Sequence, residues 1–136
     1  MNQKTWIRAA SVITLLYAVG HTAGYPWTPV LGPQESSLIG SMRTLGFSVA
    51  GVHRTYWDFY LGFGVAISAF LFVQAIVLWQ LAGLAQSESG KLKPILLSFS
   101  AAFLVNAFIV WEFFFALPLI LSLAIVGCLG AAALRR

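Results

Sequence analysis

The sequence predicts an all-α membrane protein, a bundle of four transmembrane helices with one short helix at the membrane interface. The first reason is composition, because the chain of 136 residues is 60% hydrophobic and only 9% charged, whereas soluble domains carry about 25% charged residues. The second reason is that the apolar residues form long runs between short polar segments, and the mean hydropathy of +0.86 agrees. A soluble enzyme, a nucleic-acid-binding module and a disordered tail are therefore excluded.

The length predicts a single domain. Four spans of about 20 residues use about 80 positions, so little of the chain remains outside the membrane. Cys128 is the one cysteine of the sequence and lies in an apolar run, so it has no intrachain disulfide partner. We expect it to be a small, buried packing residue.

The first predicted span covers about residues 6–24. Lys4 and Arg8 precede or open its apolar run, and Tyr25-Pro26-Trp27 follows it as a turn rich in residues that favour the membrane interface. A basic start before an apolar run is also typical of a signal peptide. The run is long for a signal peptide, so we expect this segment to be retained as a helix.

A short interfacial helix is predicted over about residues 34–45. Leu38, Ile39, Met42 and Leu45 recur there at helical spacing, while polar residues occupy the other positions. An amphipathic helix of this kind lies in the plane of the interface. The alternative is a solvated loop.

Three further spans are predicted over about residues 56–86, 94–115 and 118–134. The first of these is longer than a bilayer requires, so it must tilt or protrude. A polar turn follows it, and Pro94 is well placed as the first residue of the next helix. Leu117-Pro118 then provides a tight reversal into the last span.

The basic residues predict the orientation. Six of the eight lie on one side of this topology, and that side is cytoplasmic by the positive-inside rule. They are Lys4, Arg8, Lys91, Lys93, Arg135 and Arg136. We therefore predict a protein of the bacterial inner membrane with both termini in the cytoplasm and the 34–45 helix outside.

Three ionisable residues fall in the outer half of the membrane in this topology: His21, Asp58 and Glu112. Ionisable groups at membrane depth are costly and face a bundle interior or a wet cavity, so they predict an outward-facing polar pocket. Asp58 has a second interpretation, because Thr55 precedes it by three positions as in a helix capping box. Glu112 lies in the last turn of its helix, where the helix dipole disfavours a carboxylate, so a hydrogen-bonding or cationic partner is expected. The alternative is a carboxyl that reaches the outer interface or that pairs with Arg54 as a structural contact.

The same pocket is predicted to bind an apolar ligand. Arg54 would anchor an anionic group, and four aromatic side chains would line the apolar part. These are Tyr17, Tyr60, Trp111 and Phe108. Asn106 lies about 240° around its helix from Glu112, so we expect it to bond to a neighbouring helix instead.

The predicted function is the binding of a lipophilic small molecule or membrane lipid, with acid/base processing by Glu112, His21 and Asp58. The sequence holds no metal-binding, phosphate-binding or nucleophile motif, so no metal, cofactor or nucleic-acid partner is expected. The alternative is a noncatalytic accessory subunit. Such a subunit would pack against a partner or a second copy through small residues such as Gly127 and Ala131.

Three short segments of the first two spans form a further pattern. They are Gly20-His21-Thr22, Trp57-Asp58-Phe59-Tyr60 with Gly62-Phe63-Gly64, and Leu78-Trp79-Gln80-Leu81. In these segments the chain resembles small bacterial four-helix membrane proteins of unassigned function. Its plan is also similar to that of sterol-isomerase and sigma-2-type membrane proteins, which place acidic residues in a lipophilic pocket, and this likeness is architectural only.

Overall fold

A computed structural model describes residues 2–24, 31–85, 87 and 89–135. The described residues form five helices and one β-hairpin. In chain order the elements are α1 (Gln3–Gly24), α2 (Pro33–Thr44), β1 (Gly46–Val49), β2 (Val52–Thr55), α3 (Tyr56–Leu84), α4 (Ser89–Phe113) and α5 (Ala116–Ala133). The predicted Tyr25-Pro26-Trp27 turn lies outside the described residues, as do Gln86, Glu88 and Arg136.

Three of the described helices are long and apolar enough to cross a membrane. They are α3, α4 from Gly90 onward, and α5, with 29, 24 and 18 residues. These three helices support the prediction of a helical membrane protein. Helix α1 is not among the three.

The chain divides into two compact units. The first unit comprises Met1–Ala18 and Leu71–Arg136, and the second comprises Val19–Phe70. Helices α1 and α3 each contribute residues to both units.

The core of the first unit is a cluster of apolar side chains from α1, α3, α4 and α5. Its fully buried large members are Ile7, Leu78, Leu96, Ile125 and Leu129. Cys128 is also buried in this cluster, which confirms its predicted packing role. Helices α4 and α5 follow each other through a turn of two residues and therefore pack side by side as an antiparallel pair.

Helix α1 has a polar buried side and an apolar exposed side. The polar residues that it buries are Gln3, Ser11 and Thr14. The large apolar residues that it exposes in the first unit are Val12, Leu15 and Leu16. A helix in water shows the reverse pattern, so the exposed side of α1 suits a lipid environment.

Hydrogen bonds connect the helices inside the first unit. The hydroxyl of Ser11 on α1 donates to the carbonyl of Ala75 on α3 at 2.7 Å. The amide of Asn106 on α4 donates to the Ser122 hydroxyl on α5 at 2.9 Å and to the Tyr17 hydroxyl on α1 at 3.5 Å. The prediction that Asn106 bonds to neighbouring helices is confirmed.

The start of α1 is attached to the end of α5 through Gln3. Its Nε2 donates to the carbonyls of Ala132 and Arg135 at 3.2 and 3.3 Å. These are carbonyls of the kind that a helix end leaves without intrahelical partners. Within the described residues, the buried Gln3 Oε1 and Trp6 Nε1 atoms have no hydrogen-bond partner.

The second unit contains a β-hairpin that the sequence analysis missed. Strands β1 and β2 are antiparallel, with Gly46 opposite Thr55 and Val49 opposite Val52. The two-residue loop has φ of 51° at Ala50 and 79° at Gly51, the left-handed conformations of a type I′ turn. The fold class is therefore helical with one small hairpin, not purely α. The sequence signal for this hairpin was Gly51, which lies at the second loop position between two short segments that contain valine.

The loop predicts opposite effects of two substitutions. Ala50→Gly removes a left-handed side-chain penalty of roughly 1 kcal/mol, so amide hydrogen exchange in β1 and β2 should slow. Gly51→Ala introduces a similar penalty and should accelerate exchange. The control is Gly40→Ala on α2, where a Cβ meets no atom within 4 Å and hairpin exchange should not change. Equal exchange in the two loop variants would contradict this turn geometry.

Helix α4 begins five residues before the predicted start at Pro94. Pro94 consequently lies inside the helix, where its missing N–H leaves the carbonyl of Gly90 without an intrahelical donor. The position is close to the helix start in a polar segment, where water can bond to that carbonyl. Helix α5 begins at Ala116, so Pro118 lies in its first turn.

Candidate functional site

Asp58 forms the capping box that was one of its two interpretations. Its Oδ2 accepts a hydrogen bond from the Thr55 backbone N–H at 2.8 Å, and its own N–H donates to the Thr55 hydroxyl at 3.1 Å. These reciprocal bonds satisfy two donors at the start of α3. His53 and Arg54 lie close enough to interact electrostatically with the carboxylate. Asp58 therefore has a structural role that needs no ligand.

The capping box predicts a graded response at Asp58. Asp58→Ala removes the side-chain acceptor and should lower the free energy of unfolding measurably. Asp58→Asn retains an acceptor oxygen and should cost less. Thermal unfolding in detergent measures both variants. A Thr55→Ala, Asp58→Ala double variant should lose less than the sum of the single losses, because both residues belong to one box, and full additivity would argue against the box.

His21 bonds to α3 at a point far along the helix from Asp58. Its Nδ1 lies 3.1 Å from the Ser68 hydroxyl, and the side chain is half-buried in the second unit. Ser68 is ten residues beyond Asp58, or about 15 Å along the helix axis. The His21 to Ser68 bond therefore connects α1 to α3 about three helical turns away from the capping box.

Arg54 and Tyr60 lie on the exposed surface of the second unit. Arg54 Nη1 donates to the neighbouring carbonyl of His53 at 2.9 Å. The Tyr60 ring lies 5.5 Å from the Trp57 ring. In the same unit, the Arg43 guanidinium stacks on Trp57 at 4.7 Å, a cation–π contact that the sequence analysis did not predict.

The hairpin is held on the first turns of α3 by aromatic contacts. The Phe47 ring lies 5.1 Å from both the Tyr56 and the Phe59 rings. At Gly46 a Cβ would collide with the imidazole of His53, so a larger residue there would force this exposed side chain to move. Phe47 was missed because its role depends on the hairpin, which brings it back over α3.

Tyr17 is part of the core of the first unit. Its side chain is 7% exposed, and its hydroxyl accepts the bond from Asn106. Thr14, one turn away on the same side of α1, is fully buried. Tyr17 and Thr14 thus lie on the buried side of α1, and Tyr17 contributes to the contact with α4 instead of lining a ligand pocket.

Glu112 lies at the opposite end of the first unit from the basic residues. It is exposed, on the last turn of α4, and among the described residues no hydrogen-bond or ion-pair partner of its carboxylate is found. Lys93, near the start of the same helix, is 19 residues away, or about 28 Å along the axis. No described cation of the first unit is placed to neutralise Glu112.

An apolar groove lies at the turn between α4 and α5, and Glu112 follows its lining residue Trp111 in the sequence. Its volume is about 210 Å³. The residues that line it are Val110, Trp111, Phe114, Phe115, Ala116 and Leu119. Of the predicted ligand-binding residues, Trp111 lines this groove and is 70% exposed, and Phe108 is 72% exposed one turn earlier on α4.

The predicted site residues thus fall into different units and environments. His21, Asp58, Arg54 and Tyr60 belong to the second unit, and Glu112 to the first. Within the described residues no group of three His, Cys, Asp or Glu side chains is placed to hold a metal ion. The sequence matches no protein-family model, and neither a curated protein nor a solved structure shows significant similarity to the chain.

Proposed function

We propose that this chain is a four-span membrane protein that binds a lipophilic molecule in the groove between α4 and α5. The observation that carries the proposal is the position of Glu112, an exposed carboxylate directly after Trp111 of the groove lining. Apolar pockets with a few placed polar groups are typical of small-molecule sites. Trp111, Phe114 and Phe115 would contact the apolar body, and Glu112 would accept a hydrogen bond from its hydroxyl or ammonium group.

The surface of α1 supports a fourth span. Its buried polar residues lower its overall hydropathy, yet Val12, Leu15 and Leu16 face outward. With α1 across the membrane, the basic starts of α1 and α4 and the basic end of α5 lie on the cytoplasmic side. An interfacial position of α2 is part of the same proposal, since Leu38 is 60% exposed and none of the residues of α2 is buried.

Glu112 is the acidic group that we assign to the ligand. Asp58 already accepts its capping bond, whereas the carboxylate of Glu112 is exposed between Trp111 and Phe113, both on the apolar surface. A carboxylate in apolar surroundings gains most from a donor that is held beside it. Acid/base processing of the bound molecule would use this same carboxylate.

Native mass spectrometry of the protein purified in a mild detergent tests the proposal. The wild-type protein should carry a bound lipophilic molecule. Glu112→Gln replaces a charge-assisted hydrogen bond by a neutral one, at a loss of about 1–1.5 kcal/mol, so the affinity should fall by about tenfold and the occupancy should drop. Phe115→Ala, which shortens one wall of the groove, should also lower the occupancy.

The matched control is Phe70→Ala, because Phe70 is similarly exposed but lies on α3 and is not among the residues that line the groove. It should retain the bound molecule at the wild-type level. Equal occupancy in the wild-type protein, Glu112→Gln and Phe115→Ala would refute the groove as the binding site.

A noncatalytic accessory role is the second candidate, and one observation favours it. Gly127 on α5 is exposed, and a Cβ at this position would meet no atom within 4 Å. Such a surface allows a second membrane helix to approach closely. Gly127→Leu should then lower the oligomeric mass in native mass spectrometry, whereas Gly83→Leu on α3 should not. If the wild-type protein and both variants were monomeric, the accessory role would have no support.

A further inference from the structure

One end of the first unit concentrates positive charge. Five described basic residues lie at the start of α1, the start of α4 and the end of α5, and only Glu88, in the segment between α3 and α4, is acidic nearby in the sequence. The five are Lys4, Arg8, Lys91, Lys93 and Arg135. We call this set the basic end.

The packing of the first unit brings these helix ends together. Gln3 bonds to the last carbonyls of α5, which places the start of α1 beside the end of α5. The antiparallel pairing of α4 with α5 places the start of α4 at the same end. The end of α3 also lies here. Ile7 near the start of α1, Ala85 after the end of α3 and Leu92 near the start of α4 are buried in the same core cluster.

The side chains of the basic end are directed to the surface. Arg8, Lys93 and Arg135 are exposed. The Arg8 guanidinium stacks on the ring of Trp79 at 4.9 Å, and Trp79 is itself half exposed. Tryptophan beside arginine is the combination found at the level of lipid headgroups.

We infer that the basic end binds the phosphate groups of anionic phospholipids. The charge at this end is complementary to such headgroups, and each Lys or Arg near the surface of an anionic membrane adds to the attraction. The exposed apolar sides of the adjoining helices would contact the acyl chains of the same lipid. This site is separate from the groove at the turn between α4 and α5, which lies at the other end of these two helices.

Thermal unfolding in a zwitterionic detergent with added short-chain lipid tests the inference. Short-chain phosphatidylglycerol should stabilise the wild-type protein in a saturable manner, and short-chain phosphatidylcholine should do so much less. The Lys93→Gln, Arg135→Gln double variant should bind phosphatidylglycerol about thirtyfold more weakly, since two cations are lost. High salt should reduce the wild-type effect as well.

The matched control is the Arg43→Gln, Arg54→Gln double variant, which removes two cations from the second unit. It should respond to phosphatidylglycerol as the wild-type protein does. A separate arm uses glycerol phosphate, which has the phosphate without acyl chains and should stabilise the protein little. Equal stabilisation by the two lipids, equal stabilisation by glycerol phosphate, or an equal loss in the control would overturn the inference.

Discussion

Replacement of Leu129 by alanine is expected to lower the free energy of unfolding by about 2–3 kcal/mol. Leu129 is fully buried on α5 in the core of the first unit. In a soluble protein the loss would combine a water-to-core transfer contribution with a cavity contribution and reach about 2–5 kcal/mol. A lipid bilayer is as apolar as leucine, so the cavity contribution dominates and the lower part of the range applies.

The control for this effect lies on the same helix. Leu123 is 48% exposed, so Leu123→Ala removes the same atoms without opening a cavity. Reversible unfolding in mixed micelles should show a change below about 0.5 kcal/mol for this variant. If the two variants were equally destabilised, the assignment of the buried side of α5 would be wrong.

The second large effect is expected for Leu123→Arg, which should impair membrane insertion. Leu123 is the eighth of the 18 residues of α5, close to the middle of a candidate span. Arginine at the centre of a transmembrane helix costs about 2.5–3.5 kcal/mol in insertion. On a soluble protein an exposed Leu→Arg change is close to neutral, so this variant distinguishes lipid from water around α5.

Membrane insertion of Leu123→Arg should be measured beside Leu134→Arg. Leu134 is 85% exposed and follows the last residue of α5, where an arginine side chain reaches the interface. We expect the first variant to insert poorly and the second to insert normally. Normal insertion of both would mean that the exposed apolar side of α5 does not face lipid.

The long apolar helices were predictable because their signal is local. Runs such as the one in α3 exceed the length of a span by themselves, whatever the rest of the chain does. The Asn106 contact was also predictable, because helical geometry alone separates it from Glu112 and a buried amide needs partners. The capping box was identified from the three-residue spacing between Thr55 and Asp58, which is also a local signal.

The remaining features depend on contacts that a single sequence does not specify. The hairpin is defined by pairing between β1 and β2 and by Phe47 packing on α3, and both are tertiary contacts. Tyr17 was assigned to a ligand because its depth in the membrane was predicted, whereas its burial depends on the rotation of α1. Pro94 was placed at a helix start from propensity, although the polar residues before it continue the helix.

An experimental structure of the protein in nanodiscs made from its native membrane tests the proposed binding site most directly. We predict elongated density between Trp111, Phe114 and Phe115, with one end within hydrogen-bonding distance of the Glu112 carboxylate. The same density should be lost in Glu112→Gln. A groove occupied only by disordered lipid in both proteins, with the Glu112 carboxylate open to water, would contradict the account.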